Sequence, residues 1–222
     1  LDDNPIECTE VMAHCPEVMT LQLPQSLSAL SDFLKNLWIF DKMKITKEDQ
    51  SRTLSYRQNF ERDSLRERSP TISDFLDGLE LNIRASSLSE ENIARAAQLT
   101  QRTNQFNLTT IRRTETEFRQ LRQSGGLETL LFEVSDRFGD YGTVGMTSFF
   151  TAFPGQDALE VDTLLLSCRA LGRGVEHFML SEIGKIARAR GLLTVKLSYR
   201  PTGKNRMAMD FLESIGACGE AA

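Results

Sequence analysis

The sequence predicts an α/β chain, in the α+β sense, built on a mixed sheet with flanking helices, and three observations carry that prediction. Leu79, Leu81 and Ile83 alternate with Glu80, Asn82 and Arg84, the period-two pattern of a half-buried strand. Glu128 to Val134, Tyr141 to Phe150 and Leu159 to Ser167 follow as three strand-like runs separated by Gly-rich or Pro-Gly turns, which reads as an antiparallel meander. Val175, Phe178, Met179, Ile183 and Ile186 then mark a long amphipathic helix. After it, Leu193, Val195, Leu197 and Tyr199 alternate with Thr194, Lys196 and Ser198 as a further strand.

The other elements fill in around these. Asp2-Asp3-Asn4-Pro5 reads as an acidic loop, followed by a short helix around Glu7 to Ala13 and a Pro-bounded, strand-like run Val18 to Leu21. Leu27, Leu30, Phe33, Leu34 and Leu37 recur at helical spacing. From Lys44 to Ser69 the chain is densely charged, which reads as a solvated helix connecting two domains or as a basic face for an acidic partner, and Pro70 closes it. Ser87-Leu88-Ser89-Glu90 and Thr114-Glu115-Thr116-Glu117 each fit a capping box and so each opens a helix, the second ended by Gly125-Gly126. Ala208, Phe211, Leu212 and Ile215 carry a final helix. The organisation that follows is residues 1–37, a charged helical linker over 38–72, and a second domain over 73–222. Leu1 in place of Met, and a last helix that hands over to no strand, lead us to expect a piece of a longer protein with C-terminal strands missing.

Composition narrows the function classes. With 31 acidic against 26 basic residues and a pI near 5.2, the chain lacks the overall basic character of a nucleic-acid binder. No apolar run approaches the roughly 20 residues of a membrane span, so no membrane partner is expected. Cys8, Cys15, Cys168 and Cys218 show no CxxC spacing and no disulfide-scaffold density, which fits a reducing compartment and a cytoplasmic reading. With only His14 and His177 present, a His-rich metal site is excluded, and both read as structural or exposed.

Three groups of residues have the chemistry of a site. Arg169-Ala170-Leu171-Gly172-Arg173-Gly174 falls between a strand and a long helix. Glycines there uncover backbone N–H groups at a helix N-terminus, where the dipole favours an anion, and Arg169 and Arg173 add charge-assisted bonds to phosphate; a tight turn with surface arginines is the plainer reading. Glu160 and Asp162, two apart on the preceding strand, share a face and read either as general-base candidates or as surface carboxylates. Cys168 beside Arg169 reads as an activated thiol or as a small buried filler. Asn104, Gln105 and Asn107 lie in a run of amides and hydroxyls between two helices, placed to hydrogen-bond a ligand or to cap helix ends. Asp2 and Asp3, with Glu7 downstream, are hard oxygen donors of the kind that hold Mg²⁺ against a phosphate; an acidic turn without metal is the alternative.

The element order and the RxxGxG loop resemble the GNAT acyltransferase fold, in which this loop holds the pyrophosphate of coenzyme A. Asn205, Ala208, Phe211 and Gly216 match that family's NxxAxxFYxxxG segment, but Leu212 stands where many members carry a tyrosine general acid. The run Gln98 to Thr110, together with Asp136-Arg137-Phe138-Gly139-Asp140-Tyr141-Gly142 and Leu166-Ser167-Cys168-Arg169, resembles the C-terminal region of FkbH-like proteins. Asp2-Asp3-Asn4-Pro5 resembles the last acidic motif of HAD phosphatases of the same group.

The resemblance implies a GNAT-like domain at 73–222, preceded by the C-terminal remnant of a HAD-like Rossmannoid domain at 1–37. It implies a parent enzyme that takes a glyceryl or related acyl unit from a small phosphorylated glycerate and loads it onto an acyl carrier protein in polyketide or related biosynthesis. Mg²⁺ would serve the HAD half through Asp2 and Asp3. Coenzyme A or a phosphopantetheine arm would lie against Arg169, Gly172, Arg173, Gly174 and Asn205. No DxDxT-like nucleophile motif is present, so phosphatase chemistry is not expected of these 222 residues alone. Two other readings remain at this point: a CoA-dependent N-acyltransferase, and a non-catalytic domain that docks a carrier protein's phosphopantetheine arm.

Overall fold

A computed structural model describes residues 1–37, 39, 47–150 and 157–219. The chain divides into two units, Leu1–Ser55 and Tyr56–Ala222. No described helix is long and apolar enough to cross a membrane.

The first unit carries helix α1 (Pro5–His14) and helix α2 (Leu27–Lys35). Asn4 caps α1 by accepting from the Ile6 N–H, with Pro5 at the first helical position where its missing N–H costs nothing. Ser26 caps α2 in the same way through the Ala29 N–H. The strand expected over Val18–Leu21 is replaced by a single parallel bridge between Asp2 and Gln22. Asp2 N–H donates to the Leu21 carbonyl and Leu23 N–H to that of Asp2, and no ladder extends further among the described residues.

The charged stretch is helical as expected, as α3 (Lys47–Arg68), and the boundary between the two units falls inside it. Its first residues, Lys44 to Thr46, lie outside the described residues. In the second unit this helix is not wholly solvated: the Arg62 side chain is only 3% exposed and is paired with Asp136. A helix not foreseen from the sequence follows, α4 (Ile72–Leu79), opened by a capping box between Thr71 and Asp74. It corrects the strand read from Leu79: Leu79 is the fully buried last residue of α4, Glu80 turns the chain in the left-handed region, and β1 spans Asn82–Ser87.

The remaining order is α5 (Ile93–Arg102), α6 (Glu115–Ser124), β2 (Leu127–Asp136), β3 (Gly139–Phe150), β4 (Ala158–Leu166), α7 (Val175–Ala189), β5 (Thr194–Leu197) and α8 (Arg206–Ser214). The five strands form one sheet in sequence order. β1, β2, β3 and β4 pair antiparallel, so the meander is as read, and β4 and β5 pair parallel, with α7 supplying the crossover a parallel pair needs. The Pro154-Gly155 turn read between β3 and β4 lies outside the described residues.

Both faces of the sheet are covered. Ile93, Ala96, Leu99 and Phe118 from α5 and α6 bury Leu131, Met146 and Leu165 on one face. Val175, Met179, Ile183, Ala208 and Phe211 from α7 and α8 bury Phe132, Val144, Phe149, Val161, Leu164 and Leu166 on the other. β4 touches both layers, which is why its sequence is a nearly continuous apolar run rather than an alternation. The capping box read at Thr114 and Glu117 is present. The one read at Ser87 is not: Ser87 is drawn into the ladder opposite Leu130, and α5 begins five residues later behind Asn92.

Candidate functional site

The end of β4 feeds directly into the RxxGxG segment. Cys168–Ala170 form one 3-10 turn, Ala170 is fully buried, and the chain then enters α7. Gly172 and Gly174 have φ of +70° and +78°, a region costly for residues with a Cβ, and a Cβ built at either would meet nothing within 4 Å. The loop is therefore open outward. Gly174 caps α7 with no side-chain bond, so the first N–H groups of the helix keep their positive end uncovered by a capping side chain.

Two cationic side chains belong to the loop itself. Arg169 is exposed, and Arg173 donates to the Arg169 carbonyl while its guanidinium lies 5.0 Å over the Tyr141 ring. Arg95, on α5, is anchored by bonds of 3.0 and 2.6 Å to the Thr143 carbonyl. Burial first, and then the positive charges of Arg169 and Arg102, hold the Arg95 guanidinium below its ordinary value. Arg169 and Arg173 thus put two cationic side chains on the loop at the exit of β4, where an anion would relieve their repulsion. Sequence reasoning found Arg169 and Arg173 but gave Arg95 no role, because it reads as an ordinary polar position of an amphipathic helix.

The Tyr141 ring is shared. Arg62 stacks over it at 4.1 Å, and the Tyr141 hydroxyl donates to Asp136 Oδ2 at 2.6 Å. Burial and the neighbouring Asp136 push the phenol above its ordinary value, so it stays protonated and donating. Asp136 also accepts from the Phe138 and Gly139 N–H groups, fixing the β2–β3 turn.

The other expected site residues fall in different environments. Glu160 is exposed, whereas Asp162 sits at the irregularity where β4 slips against β3 and is 9% exposed. Asp162 accepts from Arg113 Nη1 at 2.8 Å and from the Thr163 hydroxyl at 2.6 Å, which occupies it as an ion-pair partner. Leu212 is buried in the core beside Phe211. Cys168 is exposed, which removes the reading of a buried filler.

Asn107 and Asn205 are fully buried and bound to the chain itself. Asn205 Nδ2 donates to the Asn107 and Arg200 carbonyls, both at 2.9 Å, and its Oδ1 accepts from Thr202. Asn107 Oδ1 accepts from the Thr110 N–H and its Nδ2 donates to the Thr103 carbonyl. Asn104 accepts from Arg112, and Gln105 is exposed. His14 is exposed on α1, and His177 is exposed with its ring edge-on to Phe211.

Asp2 and Asp3 lie in the first unit. Asp2 Oδ1 accepts from the Asn4 N–H, and among the described residues no three His, Cys, Asp or Glu side chains converge as a cation site.

No protein-family model matches the chain, and no curated protein matches it. Solved structures do. The chain is similar in outline to acetyltransferases. An acetyltransferase of Trypanosoma brucei is 16% identical with a TM-score of 0.46, and a ribosomal-protein-alanine N-acetyltransferase of Brucella melitensis is 16% identical with a TM-score of 0.49; each similarity covers 64% of this chain and 96% of the other. The aminoglycoside acetyltransferase AAC(6')-Iy, in complex with a CoA-containing bisubstrate analogue, is 9% identical with a TM-score of 0.47, covering 64% of this chain and 94% of its own.

Proposed function

We propose that the second unit is a GNAT-like domain that binds coenzyme A or an equivalent phosphopantetheine-bearing group and serves acyl transfer to an amine. The observation that carries this is the loop after β4: two left-handed glycines with nothing within 4 Å of a Cβ built at either, a helix N-terminus without a side-chain cap, and Arg169 and Arg173 within the loop itself. A diphosphate matches that opening in charge and in its demand for N–H donors. In the reaction the amine nitrogen bonds to the thioester carbonyl carbon, the C–S bond breaks, and the amine's proton leaves with the thiol. Glu160 is the exposed carboxylate of β4 with no hydrogen-bond partner among the described residues, and is the better base candidate, because Asp162 is held by Arg113.

A second reading is favoured by Leu212 and Asp162. An apolar core residue where an acid would stand, and a carboxylate neutralised by an arginine, suit a domain that grips a carrier protein's phosphopantetheine arm without chemistry. Loading of a glyceryl unit by a HAD-type half rests on the sequence resemblance alone. Acetyl-CoA turnover with a panel of primary amines, read as thiol release, separates the two. Release above the hydrolysis blank, lost in Glu160→Gln, supports transfer. Stabilisation of the fold by CoA without any release supports docking, and neither effect would remove both.

A further inference from the structure

Two guanidinium groups share one buried ring. Arg62, from α3, and Arg173, from the loop before α7, lie 4.1 and 5.0 Å from the ring centroid of Tyr141, on β3. Tyr141 is 7% exposed and belongs to the core cluster that α7 and α8 complete, and its hydroxyl donates to Asp136 at 2.6 Å. The ring is therefore fixed both by its packing and at its polar end.

The two cations differ in what neutralises them. Arg62 meets Asp136 through two N–H groups, so its charge is compensated inside the fold. Arg173 donates to the Arg169 carbonyl, and among the described residues no carboxylate pairs with it. An aromatic face attracts a cation without neutralising it and leaves the in-plane N–H donors of a stacked guanidinium available. Arg173 is thus a located but uncompensated positive charge between the two left-handed glycines, Gly172 and Gly174. A free arginine gives up many rotamers on meeting an anion, and holding it beforehand removes part of that cost.

We propose that Tyr141 is a positioning residue for ligand binding: its ring holds the Arg173 guanidinium in place to donate to a phosphate oxygen at the Gly172–Gly174 loop. The inference rests on the reading of that loop as a diphosphate site and names the residue that readies it. Tyr141 is buried and its hydroxyl is committed to Asp136, so it acts through Arg173 and not on the ligand. The loop motif alone discloses none of this, because the ring comes from another strand.

The test is a double-mutant cycle on the affinity of the full chain for CoA, read by calorimetry. Arg173→Ala weakens binding about tenfold and Tyr141→Leu about fivefold, whereas adding Tyr141→Leu to Arg173→Ala weakens it by less than about twofold further. Tyr141→Phe keeps the ring and loses the bond to Asp136, so it lowers the melting temperature yet binds CoA within about twofold of the parent. Where Tyr141→Leu does not fold, a ring-fluorinated phenylalanine in place of Tyr141 is compared with Tyr141→Phe; fluorine drains the face of the ring, so the fluorinated protein binds more weakly. A loss from Tyr141→Leu as large without Arg173 as with it, an Arg173→Ala variant that binds like the parent, or equal binding by the fluorinated and plain phenylalanine proteins overturns the proposal while leaving the loop reading intact. A parent chain that does not bind CoA overturns the loop reading and this inference with it.

Discussion

Arg62 and Asp136, 74 residues apart, meet as a forked pair, Nε to Oδ2 at 2.7 Å and Nη2 to Oδ1 at 2.9 Å. Both side chains are nearly excluded from water, at 3% and 0% exposure. Removing one partner of such a pair strands a buried charge, so Arg62→Ala is expected to lower stability by about 3 kcal/mol or more. Urea unfolding measures this. A loss within about 0.5 kcal/mol, the range of an ordinary surface change, would show that α3 is only loosely associated with the β2–β3 turn.

Burial pushes the Asp136 carboxyl up, but Arg62, the Tyr141 hydroxyl and the Phe138 N–H together hold it below its ordinary value of 3.8. A depressed folded value means the group binds fewer protons folded than unfolded, so its stabilisation is complete above the unfolded value and is lost as pH falls through the folded one. Stability should therefore decline below about pH 4. Asp136→Asn should be less stable at neutral pH and flatter across that acid range. Parallel pH profiles for the two proteins would contradict the assignment.

Asn205 is expected to matter for the fold before it matters for a ligand. Asn205→Ala leaves the buried Asn107 carbonyl without its side-chain donor, a loss of about 1–3 kcal/mol. Thermal unfolding in the absence of ligand is the readout. A variant as stable as the parent would return Asn205 to the ligand-facing role implied by the family resemblance.

Gly139 ties the turn to α3. Its φ is +152°, and a Cβ there would come within 1.9 Å of Gln58 Nε2. Gly139→Ala should therefore push Gln58 aside and destabilise the chain without affecting anion binding at the Gly172 loop. Comparing the melting shift with phosphate affinity separates the two effects, and a coupled loss of affinity would show that the turn and the loop act as one piece.

What the sequence disclosed was what short range decides. The Thr114 and Glu117 box, the Gly125 terminator and the meander follow from neighbours within a few residues, and all three are present. Leu79 misled because one apolar residue at the end of a helix completes an apparent alternation with Leu81 and Ile83. Ser87 misled because pairing with Leu130 outbid a local cap. The roles of Arg62 and of Asp162 are set by partners about 50 to 75 residues away, and no local pattern announces them. In the site, the glycine loop was legible because its chemistry is local to six residues. The anchoring of Arg95 was not, because its partner Thr143 lies 48 residues away.

The most direct test of the diphosphate reading is a calorimetric titration of the chain with CoA, repeated on Gly172→Val. Valine at φ of +70° is strained and places its branched side chain in the open space over the loop. Saturable binding by the parent chain, reduced at least tenfold in a variant that still unfolds cooperatively, is the predicted result. Binding of equal strength in both proteins, or none in the parent, would contradict it.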